Sequence, residues 1–407
     1  MANNVLPEEL MLCILTKLPV KTIVRFKSVC KPWYHLFSTP EFKKLHQAQF
    51  SSDPKNQYFI VHRFNNYCVE PKNQFTIFNI EYGPKKPTIL NHPFAHAQYI
   101  WMGTVGCCNG LVCLRSGQWI VLWNPATKLS KTFRLKDYEH FEEVSIGFGY
   151  DAIGDDFKVV LFLASIVRGD DIYVTSVEIY SANLDSWITV DVGFQFYLFK
   201  GKNDLIVNGN PYWVGYVEGN KVLVCCDVLE LVLKIVPVPT IYMMGLGEEA
   251  EVDSDGSVTK KKKWKGIGVE FVDWNGALGA IAINYEYRVG KCTSTVEYVW
   301  VFDDIERIWR NSHTFGNIKV NVYLEKVLHC TKNEKILCIF SSNKLCVLDL
   351  EAGCAKDFFD GARLRSYFGV YGYTESLAHI NGMENVVVQN EHNDLDVFRE
   401  VGDNWPW

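Results

Sequence analysis

The 407-residue sequence lacks both a long hydrophobic run and an excess of basic residues. Its longest apolar run, residues 159–167, is nine residues long and contains Ser165, whereas a membrane-spanning helix needs about 20. The 41 Lys and Arg against 47 Asp and Glu give a net charge of −6, which disfavours proteins that bind nucleic-acid phosphates. We therefore expect no membrane partner and no nucleic-acid partner.

Features of secreted proteins are also missing. The N-terminus has no basic start followed by an uninterrupted apolar run, and the sequence contains no Asn-x-Ser/Thr acceptor site. The 13 Cys are an odd number, as in a chain with reduced thiols rather than a disulfide framework. These absences favour a location in the cytoplasm or also the nucleus.

Catalytic and metal-binding motifs are absent too. There is no Gly-x-Ser-x-Gly elbow, no phosphate loop with Gly-Lys-Ser/Thr and no His-Glu-x-x-His. His92 and His96 are four apart, but Pro93 breaks any helix between them. The pairs Cys107-Cys108 and Cys225-Cys226 are vicinal, unlike the Cys-x-x-Cys of zinc or redox sites. We expect no catalytic residue, no metal and no cofactor.

Charge and periodicity change near residue 50. Residues 1–50 carry seven basic and three acidic side chains, whereas the remaining 357 residues carry a net charge of −10. In the first part, Leu6, Leu10, Ile14 and Leu18 recur at helical steps, and Pro19 ends the pattern. Further helices are predicted at 20–30, after Pro32 and after Thr39. So small a helical unit cannot cover both of its apolar faces, so a partner or a neighbouring domain must cover one.

The helical segment resembles an F-box over about 40 residues. The matching residues run Leu-Pro-Glu-Glu-Leu at 6–10, Ile-Leu at 14–15, Leu-Pro at 18–19, then Lys21, Arg25-Phe26, Val-Cys-Lys at 29–31 and Trp33. The resemblance implies docking on the Skp-type adaptor of a ubiquitin ligase and, through it, on cullin and RING subunits. The alternative is an ordinary helical cap on the downstream domain. The implied adaptor-binding residues are Leu6, Pro7, Leu10, Ile14, Leu15, Leu18, Pro19, Ile23, Phe26, Val29, Cys30 and Trp33.

The rest of the chain has a β pattern. Short runs rich in Val, Ile, Tyr, Phe and Trp alternate with Gly, Asn and Asp turns. Six runs end at a polar turn residue, namely Asn79, Asn124, Ser181, Asp227, Asp303 and Asp349. Their separations are 45, 57, 46, 76 and 46 residues, and periods near 45 with several strands each predict propeller blades.

Several pieces of this region resemble the F-box-associated domain of plant F-box proteins. They include residues 106–114, 122–128, 147–151, 156–160, 177–181 with Trp187, 208–213 and 373–377. Within that family the chain is most similar to the S-locus F-box group, whose members recognise pistil S-ribonucleases in pollen self-incompatibility. The predicted fold is a multidomain chain. A small all-α F-box at 1–50 is followed by a connecting segment with the first β elements at 51–100 and an all-β, propeller-like (kelch-like) domain at 101–407.

These features predict a non-catalytic substrate receptor of a Skp-cullin-F-box ubiquitin ligase. Its target is a protein, with a basic S-ribonuclease suggested by the resemblance and by the acidic β region. The alternatives are an F-box receptor for an unrelated target, a propeller enzyme or a propeller lectin. Acidic loop residues are the candidate target contacts, although each could be a solvated turn. These candidates are Asp155, Asp156, Asp170, Asp171, Glu248 and Glu249.

One long loop interrupts the repeat. Residues 245–265 combine an acidic stretch with Lys260–Lys263, which predicts an exposed loop. The lysines fit either a nuclear-import signal or a solvated hairpin tip.

Overall fold

A computed structural model describes most of the chain. The described residues are 7–65, 72–79, 88–90, 102–136, 141–165, 173–198, 201–202, 205–239, 251–252, 258–259, 264–288, 291–320, 324–330, 335–340, 344–349, 354–357 and 368–386. In these ranges no helix combines the length and the hydropathy that crossing a bilayer would need.

Four helices come first in the chain. They are Glu8–Leu15 (α1), Val20–Phe26 (α2), Lys31–Leu36 (α3) and Pro40–Ser52 (α4), and a 3-10 helix at Pro54–Asn56 follows. Prolines set their starts, because Pro7 and Pro19 directly precede α1 and α2 and Pro40 opens α4. Thr39 caps α4, its Oγ1 accepting a hydrogen bond from Phe42 N at 3.2 Å.

Strands make up the regular structure after these helices, and we number them in chain order. The first seven are Tyr58–Asn65 (β1), Lys72–Asn79 (β2), Thr88–Leu90 (β3), Gly103–Cys108 (β4), Leu111–Ser116 (β5), Trp119–Asn124 (β6) and Leu129–Arg134 (β7). The next ten are Phe141–Asp151 (β8), Asp156–Ser165 (β9), Val174–Ser181 (β10), Ser186–Val190 (β11), Tyr197–Leu198 (β12), Gly201–Lys202 (β13), Leu205–Val207 (β14), Asn210–Val217 (β15), Asn220–Asp227 (β16) and Val232–Pro237 (β17).

The remaining strands belong to the C-terminal half of the chain. They are Glu251–Val252 (β18), Val258–Thr259 (β19), Trp264–Trp274 (β20), Ala277–Arg288 (β21), Lys291–Asp303 (β22), Ile308–Val320 (β23), Leu324–Cys330 (β24), Lys335–Phe340 (β25), Lys344–Asp349 (β26), Cys354–Asp357 (β27), Phe368–Tyr373 (β28) and Glu384–Asn385 (β29).

Six sheets of four or five strands form the blades of a propeller. Blade 1 is β28-β1-β2-β3, blade 2 is β4 to β7 with β29 at its outer edge, and blade 3 is β8 to β11 with β13 beside β8. Blade 4 is β12-β15-β16-β17 with β14 also paired to β15, blade 5 is β20 to β23, and blade 6 is β24 to β27. The small pair β18-β19 stands apart from these sheets.

The innermost strands close into a ring. Contacts run from β28 to β4, from β4 to β8, from β8 to β15, from β14 to β20, from β20 to β24 and from β24 back to β28. This is a six-bladed β-propeller. The prediction of a helical N-terminal F-box followed by an all-β, propeller-like domain is therefore confirmed.

Blade 1 joins the two ends of the ring. Its inner strand β28 lies near the C-terminus and pairs antiparallel with β1, Ile60 opposite Tyr371. The range 51–100, predicted to be a connecting segment with first β elements, contributes three strands to this blade. The division between the segment and the β domain at residue 101 stays a prediction.

Apolar cores fill the spaces between neighbouring blades. Six clusters of buried residues each draw on two adjacent blades, so the series passes around the whole ring. Trp123, for example, lies between blades 1 and 2 and meets the Phe75 ring edge-on at 5.3 Å. Aromatic side chains suit this position because they fill the wide gap between stacked twisted sheets.

The predicted polar turn residues close the outer hairpins of the blades. In blades 2, 4 and 5, the side chains of Asn124, Asp227 and Asp303 accept two backbone N–H groups each, at 3.0–3.2 Å. The fifth residue of these turns has a positive φ, at +62° for Lys128 and +58° for Arg307. Such side-chain capping is a local property of Asn and Asp, which explains why the repeat is readable in the sequence.

Candidate functional site

The side chains on one side of the helical unit form a hydrophobic core. Leu15, Val20, Ile23, Phe37 and Phe42 are all buried in one cluster. Phe37 and Phe42 meet with ring centroids 5.0 Å apart. Helical periodicity places these residues on the inward side of α1 to α4.

The same cluster joins the helices to the propeller. Leu377, which follows β28, is buried within it, and Ala126 from the outer turn of blade 2 packs against it. Asn124 fixes this junction because its Nδ2 donates to Ser376 O at 3.1 Å and to Ala378 O at 2.9 Å. Ser376 Oγ in turn donates to Asn109 O at 2.8 Å.

Other apolar residues of the helices face solvent. Leu10 and Ile14 on α1 are 55% and 54% exposed, and Val29 and Tyr34 are 62% and 54% exposed. Leu10 and Ile14 are four residues apart and therefore share one helix face. Single exposed apolar residues are common on proteins, but these four lie within 25 residues together with Val24, which is 38% exposed, and they indicate a surface that a partner covers. We call Leu10, Ile14, Val29 and Tyr34 the open helical residues.

The structure divides the predicted adaptor-binding residues into three sets. Those that face solvent are Pro7, Leu10, Ile14, Pro19, Val29 and Cys30. Those that are half-buried against the helical core are Leu18, Phe26 and Trp33. Leu6 lies outside the described residues.

Leu15 and Ile23 need a correction. Both are buried in the helical core, 3% and 0% exposed, so they are not available for direct contact with an adaptor. They support the surface from beneath instead. Tyr34 was missed by sequence reasoning, although it lies one helical turn after Cys30 and periodicity could have found it.

A neutral histidine sits inside the helical unit. The fully buried His46 ring lies between Phe42 and Phe50, and its Nε2 is 2.8 Å from Leu18 O. Burial lowers the pKa of His46, and the hydrogen bond to Leu18 opposes that effect. We therefore expect the helical core to lose stability as the pH falls.

The predicted target-binding acids do not form one described cluster. Asp155 is exposed on the hairpin between β8 and β9, where its Oδ1 accepts a hydrogen bond from Tyr150 at 2.7 Å. Asp156 is buried, accepts hydrogen bonds from Ser181 Oγ and Asn183 N, and lies 3.5 Å from Lys158 Nζ. Its carboxylate is used within blade 3, which corrects its assignment as a target contact. The other four candidates, Asp170, Asp171, Glu248 and Glu249, lie outside the described residues, as do Lys260–Lys263.

The described residues do not offer a metal site. The described parts of the chain hold no group of three His, Cys, Asp or Glu side chains placed to share an ion. Burial raises the pKa of the Cys225 thiol to about 12 and that of the Cys108 thiol to about 12. Both side chains are therefore protonated at neutral pH, as expected for thiols that pack rather than react.

Comparison with known sequence families decides the identity. Residues 34–247, more than half of the chain, match the family described as "F-box associated beta propeller domain", and residues 4–45 match the F-box domain. The chain belongs to the F-box associated beta propeller family. The matched ranges cover the four helices and the first four blades except strand β28 of blade 1 and strand β29 of blade 2, and the structure continues the ring through blades 5 and 6.

Proteins of Arabidopsis thaliana are among the relatives that this F-box protein matches. An F-box/kelch-repeat protein is 28% identical over 226 residues, which is 51% of this chain and 58% of the relative. An F-box protein is 25% identical over 214 residues, which is 51% of this chain and 53% of the relative. The chain thus spans little more than half the length of these relatives.

Solved structures give a much fainter likeness. Oligogalacturonate lyase in complex with manganese is 9% identical with a TM-score of 0.37, covering 79% of this chain and 98% of that chain. The Dos1 propeller is 10% identical with a TM-score of 0.31, covering 73% and 67%. Likeness at this level carries no argument about function.

Proposed function

We propose that this protein is a substrate-receptor subunit of a Skp-cullin-F-box ubiquitin ligase. Its helices bind a Skp-type adaptor and, through it, the cullin and RING subunits, while the propeller holds a target protein. Family membership supports this assignment. The observation that carries it is the exposure of the open helical residues beside a core that is already complete.

The two sides of the helical unit support this division of labour. Leu15 and Ile23 are buried in the same cluster as Leu377 of the propeller domain, so the covered side is the one that faces the rest of the chain. Leu10, Ile14, Val29 and Tyr34 remain for a partner. Interfaces concentrate their binding energy in a few such apolar and aromatic anchors.

Affinity for a purified Skp-type adaptor tests the proposal. Ile14→Ala or Val29→Ala should weaken binding by about 30-fold or more, because truncating an interface anchor commonly costs about 2 kcal/mol. Ile305→Ala is the matched control, since Ile305 is 93% exposed but lies on blade 5. Wild-type affinity in both helical variants, or no adaptor binding by the parent protein, would reject the assignment.

We propose that the target is a basic protein that binds the propeller. Residues 51–407 carry a net charge of −10, and opposite charge speeds and orients association. The resemblance to the S-locus group suggests a pistil S-ribonuclease as the candidate target. In this proposal the receptor binds the target in the cytoplasm and does not itself catalyse a reaction. Asp155 is the exposed member of the predicted acids among the described residues.

Binding of an S-ribonuclease panel from about 50 to 300 mM salt tests this finer proposal. Affinity should fall with salt, and Asp155→Lys should lower it further at low salt. Binding that ignores both changes would reject the electrostatic account. No binding to any ribonuclease would leave the receptor with a different target.

A further inference from the structure

The basic side chains of the helical unit lack acidic partners. Residues 7–52 carry seven Lys and Arg against three Glu, and none of the seven forms an ion pair in the part of the chain that the structure describes. In the described propeller, by contrast, four basic residues pair with carboxylates, namely Lys131, Lys158, Lys234 and Arg310. The folded core therefore leaves the positive charge of the helices without a counter-charge.

Two of these lysines lie at the junction between the helices and the propeller. Lys27 follows α2 directly, and Lys43 lies near the start of α4. The residues just before them, both Phe, pack in the cluster that also holds Leu377 of the propeller domain. His379 lies two residues after Leu377, so three separate segments bring basic side chains to this junction. We call Lys27, Lys43 and His379 the junction cluster.

The members of the junction cluster repel one another. Burial lowers the pKa of Lys27, and the charge of Lys43 lowers it further. Burial also lowers the pKa of His379, and Lys43 and Lys27 add to that effect. The dipole of α2 suits a cation at Lys27, but Lys43 lies near the positive end of α4, where a cation is unfavourable. An anion among the three side chains would offset these costs.

Two described acids come from the same segments but do not supply this anion. The Glu375 carboxylate lies near Lys21 and accepts a hydrogen bond from Val20 N. Glu41 is exposed two residues before Lys43 on α4, and residues two apart do not share a helix face. The counter-charge must therefore come from outside the described helices and blades.

The chain leaves blade 2 close to the junction cluster. After β29 has paired with β7, Val386 N donates to Lys128 O at 3.0 Å in the outer turn of the blade. Ala126 of the same turn packs against the helical core. Val386 is seven residues after His379, so even a fully extended chain separates them by at most about 25 Å.

The sequence beyond Val386 carries the opposite charge. Residues 387–407, which lie outside the described residues, contain five acidic residues and one basic residue, for a net charge of −4. The acids are Glu391, Asp394, Asp396, Glu400 and Asp403. The first three are five to ten residues beyond Val386, which gives them an extended reach of about 17–33 Å. Their carboxylates can therefore reach the junction cluster.

We propose that the junction cluster binds the acidic segment 387–407 of the same chain. Carboxylates of the segment accept hydrogen bonds from the lysine ammonium groups and supply the counter-charge that the folded core leaves out. Since the segment is tethered to blade 2, the contact ties the helical unit to the propeller. Tethering gives an effective concentration of about millimolar, so ion pairs that are weak one at a time hold the segment together. The proposal does not depend on adaptor binding or on the identity of the target.

Carbodiimide cross-linking of the full chain tests the contact, because this reagent joins a lysine amine to a carboxylate only where the two groups meet. We expect cross-links from Lys27 or Lys43 to the acids of segment 387–407, identified by mass spectrometry in monomeric product. Their yield should not depend on protein concentration. It should fall when the salt is raised from about 50 mM to about 500 mM, because salt screens exposed ion pairs.

Lys136 is the matched control for chance collisions. It is exposed, follows β7 and forms no ion pair in the described part of the chain. It lies at the other end of β7 from β29, about 23 Å from the point where the chain leaves the blade, so the segment is long enough to reach it. We expect cross-links from Lys136 to be several-fold rarer than those from the junction cluster.

Lysine acetylation gives a second measurement that needs no cross-link. The variant Glu391→Gln, Asp394→Asn, Asp396→Asn, Glu400→Gln and Asp403→Asn removes the negative charge of the segment and changes no residue of the described core. A succinimidyl ester should acetylate Lys27 and Lys43 about three- to tenfold faster in this variant than in the wild type, because several weak ion pairs no longer cover them. Acetylation of Lys136 should be unchanged.

Three outcomes would overturn the proposal. One is a cross-link yield at Lys136 equal to that at Lys27 and Lys43. Another is a yield that rises with protein concentration in dimeric product, which would place the segment on a second copy of the chain. The third is equal acetylation of the junction lysines in the wild type and the five-substitution variant.

Discussion

In the propeller most of the described apolar strand residues are covered by a neighbouring blade, whereas the helical unit covers one of its sides and leaves the other open. The blades can cover one another because the ring closes on itself through the pairing of β28 with β1. Four short helices cannot close in that way. What remains uncovered after folding is therefore informative in the helices and much less so in the ring.

Exposed apolar residues illustrate the difference. The propeller also exposes large apolar side chains: Ile153, Leu184, Leu229 and Ile305 lie in hairpin turns, and Ile89, Val232, Tyr298 and Ile308 lie on strands of blades 1, 4 and 5. In the helices, Leu10 and Ile14 lie on one face of α1 above a core that Leu15 completes. The exposed apolar residues of the helices fall within one short segment above a buried core, whereas those of the propeller are spread over four blades, so the helices give the clearer indication of a partner surface.

The largest expected effect is on the propeller. Trp123 is 1% exposed between blades 1 and 2, and Trp123→Ala should lower the free energy of unfolding by about 3–5 kcal/mol because it leaves a cavity there. Denaturant unfolding followed by tryptophan fluorescence and circular dichroism measures it. Trp309→Ala, at a half-buried position on blade 5, should cost less. Equal losses would contradict the account of inter-blade packing.

A smaller and sharper contrast lies within the helical unit. Ile23→Ala removes a buried side chain and should destabilise the helices by about 2–4 kcal/mol, while Ile14→Ala should change stability by about 0.5 kcal/mol or less. Hydrogen exchange of residues 7–52 measures both effects. Ile14→Ala should weaken adaptor binding although it leaves hydrogen exchange nearly unchanged. A large stability loss in Ile14→Ala would mean that this residue belongs to the core, and the open surface would have to be redrawn.

Local chemistry explains which parts of the fold were readable in the sequence. Asn124, Asp227 and Asp303 mark outer turns because each side chain caps its own turn, and Pro7, Pro19 and Pro40 mark helix starts in the same way. The helices, the β-propeller class and the approximate period follow from such local rules.

Long-range packing explains what was not readable. Periodicity places Ile14 and Leu15 on α1 but cannot say which of them meets Leu377, a residue more than 350 positions away. Asp156 likewise reads as an exposed turn acid until Ser181 and Lys158 are brought beside it by strand pairing.

The smallest expected effect concerns pH and compares α4 with blade 2, since blade 6 has its own histidine, His329, whose pKa burial lowers to about 4. The folded state lowers the pKa of His46 by burial, so the unfolded chain binds a proton at higher pH than the folded helices do. Stability is then fully present above the unfolded pKa of about 6.5 and declines as pH falls from there towards the lower folded value. His379 acts in the same direction, because burial and the nearby Lys43 and Lys27 lower its pKa.

Protection factors measured between about pH 7 and 5, corrected for the intrinsic pH dependence of exchange, test this expectation. As the pH is lowered, the protection of α4 should decrease more than the protection of blade 2. His46→Phe should reduce that dependence, since Phe can keep the ring contacts with Phe42 and Phe50 without titrating. His35→Phe is the control, because His35 is exposed on α3. If His46→Phe leaves the pH dependence of α4 unchanged, the acid sensitivity of the helical core has another source.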